Sequence, residues 1–294
     1  MLSGRNLLII AVLVVGVVVL VLLRPPGTVT KIDLAAEVTR FADALSPDAP
    51  YRPPGEQERA AALDGLVPLL TGHVDLDAQR KPLEPLGFTV SDGVDEATGR
   101  HFVLAATEPD AARGWGMYIA DYDVSPRLVI EVPHPNFDLN TEQVGIDLFR
   151  RRPGSAVLVA GAHRKAGDGT ADVAHNVDSL FNAVAVELAK RGLPQVQLHG
   201  FDDRSLPDTD VVVSSGATQH TPVHERIADR LSDGGLAVCR VWTEPCGNLE
   251  GKRNVQGAAT TGLGSVFAHI ESDSEVRSRP ELRARLVDAL ADLL

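Results

Sequence analysis

AVLVAGAH (residues 156–163), DSLFNAVAVELAKRG (178–192) and QVQLHG (195–200) follow one another across a polar loop and a short turn. A short apolar run, a longer segment with apolar residues at helical spacing and a second short run read as strand, helix, strand. The alternation extends in both directions. TEQVGIDLFRR (141–151) precedes it as a helix. DVVVSSG, the helix VHERIADRLSDGG, LAVCRVW and SVFAHIE follow, and PELRARLVDALADLL (280–294) closes the chain as a helix. Upstream, GFTV, HFVLAAT, GMYIA and RLVIEV are β-like runs between Gly, Asp and Pro turns. Strands that read as near-continuous apolar runs are covered on both faces, so the pattern predicts an α/β domain with a central mixed, mostly parallel sheet flanked by helices.

The first thirty residues differ from the rest. Leu7 to Leu23 is an unbroken apolar run between Arg5 and Arg24, without the polar stripe of a soluble core helix. As a helix it spans roughly 25 Å, so we expect a single N-terminal transmembrane helix. The run ends VLLRPPG, which offers no small-residue cleavage site, so an uncleaved anchor is expected, with the large domain extracytoplasmic. The expected organisation is a tail and anchor over 1–27, a stalk over 28–60 and an α/β domain over 61–294. Across that last boundary, EQERAAALDGLVPLL (56–70) reads as helical up to Pro68.

A net charge of -12 and a lack of Lys/Arg runs exclude a phosphate-binding surface, and with it nucleic acid as partner. Cys239 and Cys246 are the only cysteines. They form a local disulfide if the domain is extracytoplasmic, or remain two buried thiols.

Polar residues gather where the predicted strands end, which is where open α/β sheets bind ligands. His134 follows RLVIEV between two prolines, His163 and Arg164 follow AVLVAG, His199 follows QVQL, and His269 with Glu271 ends SVFAHIE. A hydrolytic zinc site needs three protein ligands and an open position for water. His134, His199 and a carboxylate from EVPHPNFDLNTE (131–142), either Asp138 or Glu142, supply that set. Glu142 is preferred for its longer reach. Glu271 suits a general base that activates the attacking water and protonates the leaving amine. The long loop GAHRKAGDGTADVAH (161–175) carries Arg164, which can grip a substrate carboxylate in two-pronged fashion. VSSGA lacks the glycine-flanked elbow of a serine nucleophile. A metal-independent hydrolase using His163, Arg164 and Asp172 is one rival reading, and a non-catalytic envelope protein of the same fold is another.

HPNFDLNTE, DVAHNVDSLF, VQLHGF, VVVSSGATQHTPVHERIADRL, NVQG and FAHIESDSEVR, in this order over about residues 128–280, resemble the motifs of poly-γ-glutamate hydrolases. Those are zinc enzymes of carboxypeptidase-like fold, similar also to N-formylglutamate amidohydrolases. The resemblance implies His134 and His199 as zinc ligands, Glu271 as the catalytic glutamate and Arg277 as its accompanying arginine, with His175 near a substrate pocket. The family's first motif is H-G-G-G-I-E, whereas this chain reads H-P-N-F-D and reaches a glutamate only at Glu142. The expectation is therefore a membrane-anchored, extracytoplasmic zinc amidohydrolase acting on an envelope peptide or a γ-glutamyl amide, with Arg164, His175 and Arg277 contacting substrate.

Overall fold

The computed structural model describes residues 30–72 and 75–292. The predicted span Leu7–Leu23 lies outside them, and among the described residues no helix is long and apolar enough to cross a membrane.

The described residues begin with β1 (Lys31–Ile32), α1 (Leu34–Asp43), α2 (Glu56–Thr71) and α3 (Leu76–Leu83). Then come β2 (Phe88–Asp95), β3 (His101–Thr107), β4 (Met117–Asp121) and β5 (Leu128–Val132). The second half runs α4 (Thr141–Arg151), β6 (Ser155–Val159), α5 (Leu180–Ala189), β7 (Gln195–Gly200), β8 (Val211–Ser214), α6 (Pro222–Asp233) and β9 (Val238–Arg240). It ends with α7 (Val255–Gly262), β10 (Phe267–Ser272), α8 (Ser274–Ser278) and α9 (Pro280–Ala291).

The ten strands of the described residues form one mixed sheet in the order β1-β2-β3-β4-β6-β5-β7-β10-β8-β9. Its centre, β6-β5-β7-β10, is parallel, while β2, β3, β4 and β6 pair antiparallel in succession and β8 runs antiparallel to β10. The predicted α/β class with a mixed sheet and flanking helices is what the chain adopts. One apolar layer, with Ile130, Val132, Val196, Leu198 and Ile270, packs under α1, α4, α6 and α9. On the opposite face Val129, Ala156 and Leu158 pack with residues of α2 and α5.

Three local readings are corrected. Residues 31–45 are not stalk. Leu34, Val38 and Phe41 recur on one helical face, bury in the core and seat α1 against α4, while β1 adds a parallel strand to β2. Helix α2 also runs through Pro68 to Thr71, because Leu66, Leu69 and Leu70 stay buried across the proline. Finally, β7 and β10 are not apolar on both faces. In QVQLHG and FAHIES every second residue is polar, so Gln195, Gln197, His199, His269 and Glu271 all project from the same side of the sheet. Cys239 and Cys246 form a disulfide, the first of the two alternatives left open by the sequence.

Candidate metal centre and hydrolytic cleft

Strands β5, β7 and β10 are parallel neighbours, so their carboxyl ends open on the same edge of the sheet. His134 lies two residues past β5, His199 next to last in β7 and Glu271 next to last in β10, directly paired with His199. Pro133 and Pro135 take His134 out of the strand ladder. The backbone N–H groups of Phe137 and Asp138 then donate to the His134 carbonyl at 3.1 and 3.0 Å, with Asn136 in the left-handed region at φ 58°. This single tight turn carries Asp138 back over His134, four residues on and on the same side.

Asp138 Oδ2 lies 3.2 Å from His134 Nδ1 and 3.2 Å from His199 Nδ1. Ligands about 2.0–2.2 Å from a tetrahedral zinc stand roughly 3.3 Å from one another, so the spacing is that of a ligand set. The outer nitrogens are also engaged: His134 Nε2 meets Asp172 Oδ1 at 2.9 Å and His199 Nε2 meets Gln197 Oε1 at 2.7 Å. The Asp172 carboxylate can only accept, so it takes the hydrogen of His134 Nε2, while Arg164 Nη1, which can only donate, faces Nδ1 at 3.4 Å; in the neutral ring Nδ1 therefore holds the electron pair, and its contact with Asp138 is a hydrogen bond only when the ring is protonated. Arg164 steadies this arrangement, pairing with Asp172 Oδ2 while its Nη1 stands 3.4 Å from His134 Nδ1. With both Nε2 atoms serving as donors, two imidazole electron pairs and a carboxylate oxygen meet where only positive charge is missing. A metal cation fits that description, and outer acceptors of this kind orient metal-bound histidines.

The electrostatics express the same convergence. Burial works against ionisation of Asp138, but its hydrogen bonds with both histidines hold the carboxyl well below the usual carboxylate range. Burial likewise disfavours charge on His134, yet the hydrogen bonds that its protonated ring donates to Asp138 and Asp172 prevail and raise its proton affinity. His199 is pushed down to about 4 by burial, which the Asp138 hydrogen bond only partly opposes.

A second set, His199, His269 and Glu271, also has its possible ligand atoms within 4.8 Å of one another. The rings of His199 and His269 stack at 29° with centroids 4.6 Å apart, so their in-plane electron pairs run side by side instead of converging. The rings of His134 and His199 meet at 67°, which allows both to aim at one point. The first set is therefore the better metal centre. His269 Nδ1 and Glu271 Oε2 are buried without hydrogen-bond partners, and both residues line the cleft. Burial, reinforced by the Asp138 charge, pushes the Glu271 carboxyl well above its ordinary value. A carboxyl tuned upwards beside an open space is placed to exchange a proton with water.

The cleft has a volume of about 840 Å³. Arg164, His175, Lys252 and Arg253 are among the residues that line it, the last two on the loop before α7. Gly251 in that loop has φ +65°, and any Cβ there would fall 2.6 Å from the His269 ring, so only glycine lets the wall close over the histidine.

The structure separates the sequence candidates. Of the two carboxylates, Asp138 meets the histidines and Glu142 does not. Glu142 occupies the first turn of α4 after Asn140 has reversed the chain in the left-handed region, and it is buried in the electrostatic reach of Asp43, Arg283 and Arg277. Its length is of no use because the helix start points it elsewhere. Arg277 is buried too, its Nε donating to the Leu139 carbonyl at 2.7 Å and Nη1 to the Ser272 carbonyl. It lines an adjoining 500 Å³ pocket with Leu139, Asn140 and Ser274, and it ties the 135–139 turn to the end of β10. Arg164 and His175 do reach the cleft, with His175 Nδ1 3.2 Å from Asp172. The set His163, Arg164 and Asp172 is not assembled: His163 Nδ1 accepts from the Lys165 backbone N–H and its ring lies against Phe137, while the Asp172 oxygens are engaged by His134, Arg164 and His175.

Sequence reading noted His269 at a strand end and quoted NVQG, but gave no role to the residues of the layer beneath the histidines: Gln197, His269, Asn254, Gln256 and Glu131. The period-2 alternation of β7 and β10 is the signal that marks the first two. Glu131 is completely buried on β5, receives a 2.7 Å hydrogen bond from Gln197 Nε2 and has its other oxygen unpartnered. Burial pushes its carboxyl up to about 8, so the folded state holds a proton that the unfolded chain releases near 4.5. Between those values the native state binds the extra proton, so stability contributed by this group is present below about 4.5 and is lost as pH rises to about 8. Glu131→Gln keeps an acceptor for Gln197 and removes the titration. Relative to wild type, the variant is expected to gain on the order of a few kcal/mol between pH 5 and 8 in denaturant unfolding. A wild-type-to-variant difference that stays constant with pH would contradict this.

No protein-family model matches the chain, and no curated protein matches it. Solved structures are similar to it in the path of the chain. One is a bacteriophage poly-gamma-glutamate hydrolase, at 14% identity over 58% of this chain and 84% of that one, with a TM-score of 0.42. An aspartoacylase family protein of Mesorhizobium loti gives 10% identity over 70% of this chain and 67% of that one, with a TM-score of 0.41. The LapA aminopeptidase of Legionella pneumophila gives 10% identity over 92% of this chain and 77% of that one, with a TM-score of 0.37.

Proposed function

We propose that this chain is a zinc-dependent amidohydrolase or peptidase, anchored in a membrane with its α/β domain on the extracytoplasmic side. One observation carries the catalytic half of the reading: Asp138 Oδ2 stands 3.2 Å from the Nδ1 atoms of both His134 and His199 at the floor of an open cleft. His134, Asp138 and His199 would hold the zinc, which when bound supplies Lewis acidity for a carbonyl and makes water acidic. Glu271 takes the proton of the attacking water and returns it to the leaving amine. Arg164 orients a carboxylate of the substrate, and His175 stands beside it on the cleft wall. The substrate class we favour is an envelope peptide or a γ-glutamyl amide, in keeping with Arg164, Lys252 and Arg253 among the residues that line the cleft.

The test is metal content. The purified protein is expected to bind one zinc per chain, and His134→Ala and His199→Ala each to lose it. Zinc that stays bound in both variants would sink the reading. The location rests on the apolar run Leu7–Leu23 and gains support from the Cys239–Cys246 disulfide, since such bonds persist in oxidising compartments. On cell fractionation the full chain is expected in the membrane fraction, with its domain open to added protease only from the outer side. Recovery in the soluble fraction would overturn the anchor.

A further inference from the structure

The zinc reading requires His199 to present Nδ1 without a proton, and the structure contains a device that imposes this. We infer that Asn254 and Gln256, acting through Gln197, are positioning residues that lock His199 into its metal-binding tautomer; the inference rests on the function proposed above.

The direction of every hydrogen bond in this layer follows from two backbone groups whose roles cannot be reversed. The Gly257 backbone N–H, in the first turn of α7, donates to Asn254 Oδ1 at 2.9 Å. The other end of the Asn254 amide is therefore its NH2 group, and that group meets Gln197. The atom of Gln197 it meets must then be the oxygen. The second anchor is the Val173 carbonyl, which accepts from Gln256 Nε2 at 2.8 Å. This turns Gln256 Oε1 towards Gln197 at 3.2 Å, so the atom of Gln197 facing it must be the NH2 group. Both anchors demand the same orientation of one side chain. The Gln197 NH2 group gives its second proton to Glu131 at 2.7 Å, and Gln197 Oε1 has one remaining electron pair, directed at His199 Nε2 at 2.7 Å. Each donor and acceptor of the Gln197 amide is thereby used. His199 Nε2 must carry the hydrogen, and Nδ1 faces Asp138 bare. His134 obtains the same result from a carboxylate, whereas His199 obtains it from a neutral amide that would serve equally well as a donor if flipped. The network makes that flip costly.

Asn254→Asp tests this with little disturbance. An aspartate caps α7 as well as an asparagine, but it offers Gln197 an acceptor in place of a donor, which favours the flipped amide and the Nδ1–H tautomer of His199. Two readouts apply to the full chain: imidazole nitrogen chemical shifts of His199 in metal-free protein, and zinc affinity measured by competition with a chromophoric chelator. Wild type is expected to show the Nε2–H tautomer, and Asn254→Asp to shift towards Nδ1–H with a loss of about 10–100-fold in zinc affinity, the range for outer partners of metal histidines. Asn254→Ser retains a cap but imposes no direction on Gln197, so it is expected to lose clearly less. An Nδ1–H tautomer in wild type, an Asn254→Asp protein unchanged in both readouts, or equal losses in the Asp and Ser variants would each overturn the inference. If wild type shows the Nε2–H tautomer and the Asp variant shifts it, yet neither binds zinc, the positioning stands and the zinc reading fails, so the two are separable.

Discussion

Glu271→Gln is expected to lower kcat for amide hydrolysis by about 10²–10⁴-fold while bound zinc stays at one per chain, the range that a positioned general base contributes. The substitution is isosteric and neutral at a site where burial already favours the neutral form, so the fold has little reason to change. What it removes is the capacity to accept a proton. Oε2 is buried without a partner at the end of β10 while the residue as a whole lines the cleft, so the proton acceptor is lost from the lining of the cleft. Enzyme assay and metal analysis on the same preparation separate this role from ligation. If zinc disappears together with activity, Glu271 is a ligand from the second cluster and the assignment as base is wrong.

The second large effect distinguishes the two carboxylates of EVPHPNFDLNTE. Asp138→Asn is expected to lower zinc affinity by more than about 100-fold, beyond what outer partners alone contribute, whereas Glu142→Gln leaves it unchanged. Asp138 supplies the one anionic oxygen between the two Nδ1 atoms. An asparagine there can donate to one of them, which preserves packing but offers the metal a weaker, neutral ligand. Glu142 is buried at the start of α4, where burial already raises its carboxyl, so an amide of the same shape costs little. Chelator competition on both variants decides the matter: retention of zinc by Asp138→Asn, with loss in Glu142→Gln, would reverse the assignment.

Much of this was legible from residues 128–280. The alternation of short apolar runs with helical segments gave the α/β class, and the histidines at strand ends pointed to the edge of the sheet where the cleft opens. Local chemistry is enough for such readings. Strand and helix periodicity place side chains on faces without reference to anything distant, and Pro133 and Pro135 announce a break after β5 whatever surrounds it.

The remainder required three dimensions. The choice of Asp138 over Glu142 turns on a tight turn and a left-handed Asn140, which together set the direction in which each carboxylate points. Arg277 looked like a substrate contact but is held by the carbonyls of Leu139 and Ser272, partners that sequence distance hides. Asp172 reads in sequence as a partner of His163 and Arg164 and becomes the outer partner of His134 because the loop after β6 folds across the end of β5. Residues 31–45 read as a linker, since ten helical residues declare their buried face only when another helix, α4, is there to receive it. Over residues 128–280 the sequence by itself determined which elements form and which strand ends carry histidines, because those depend on neighbours within a few positions. Only the tertiary structure decided which atoms meet and which nitrogen of His199 bears the proton, because those depend on hydrogen bonds that join residues about sixty positions apart.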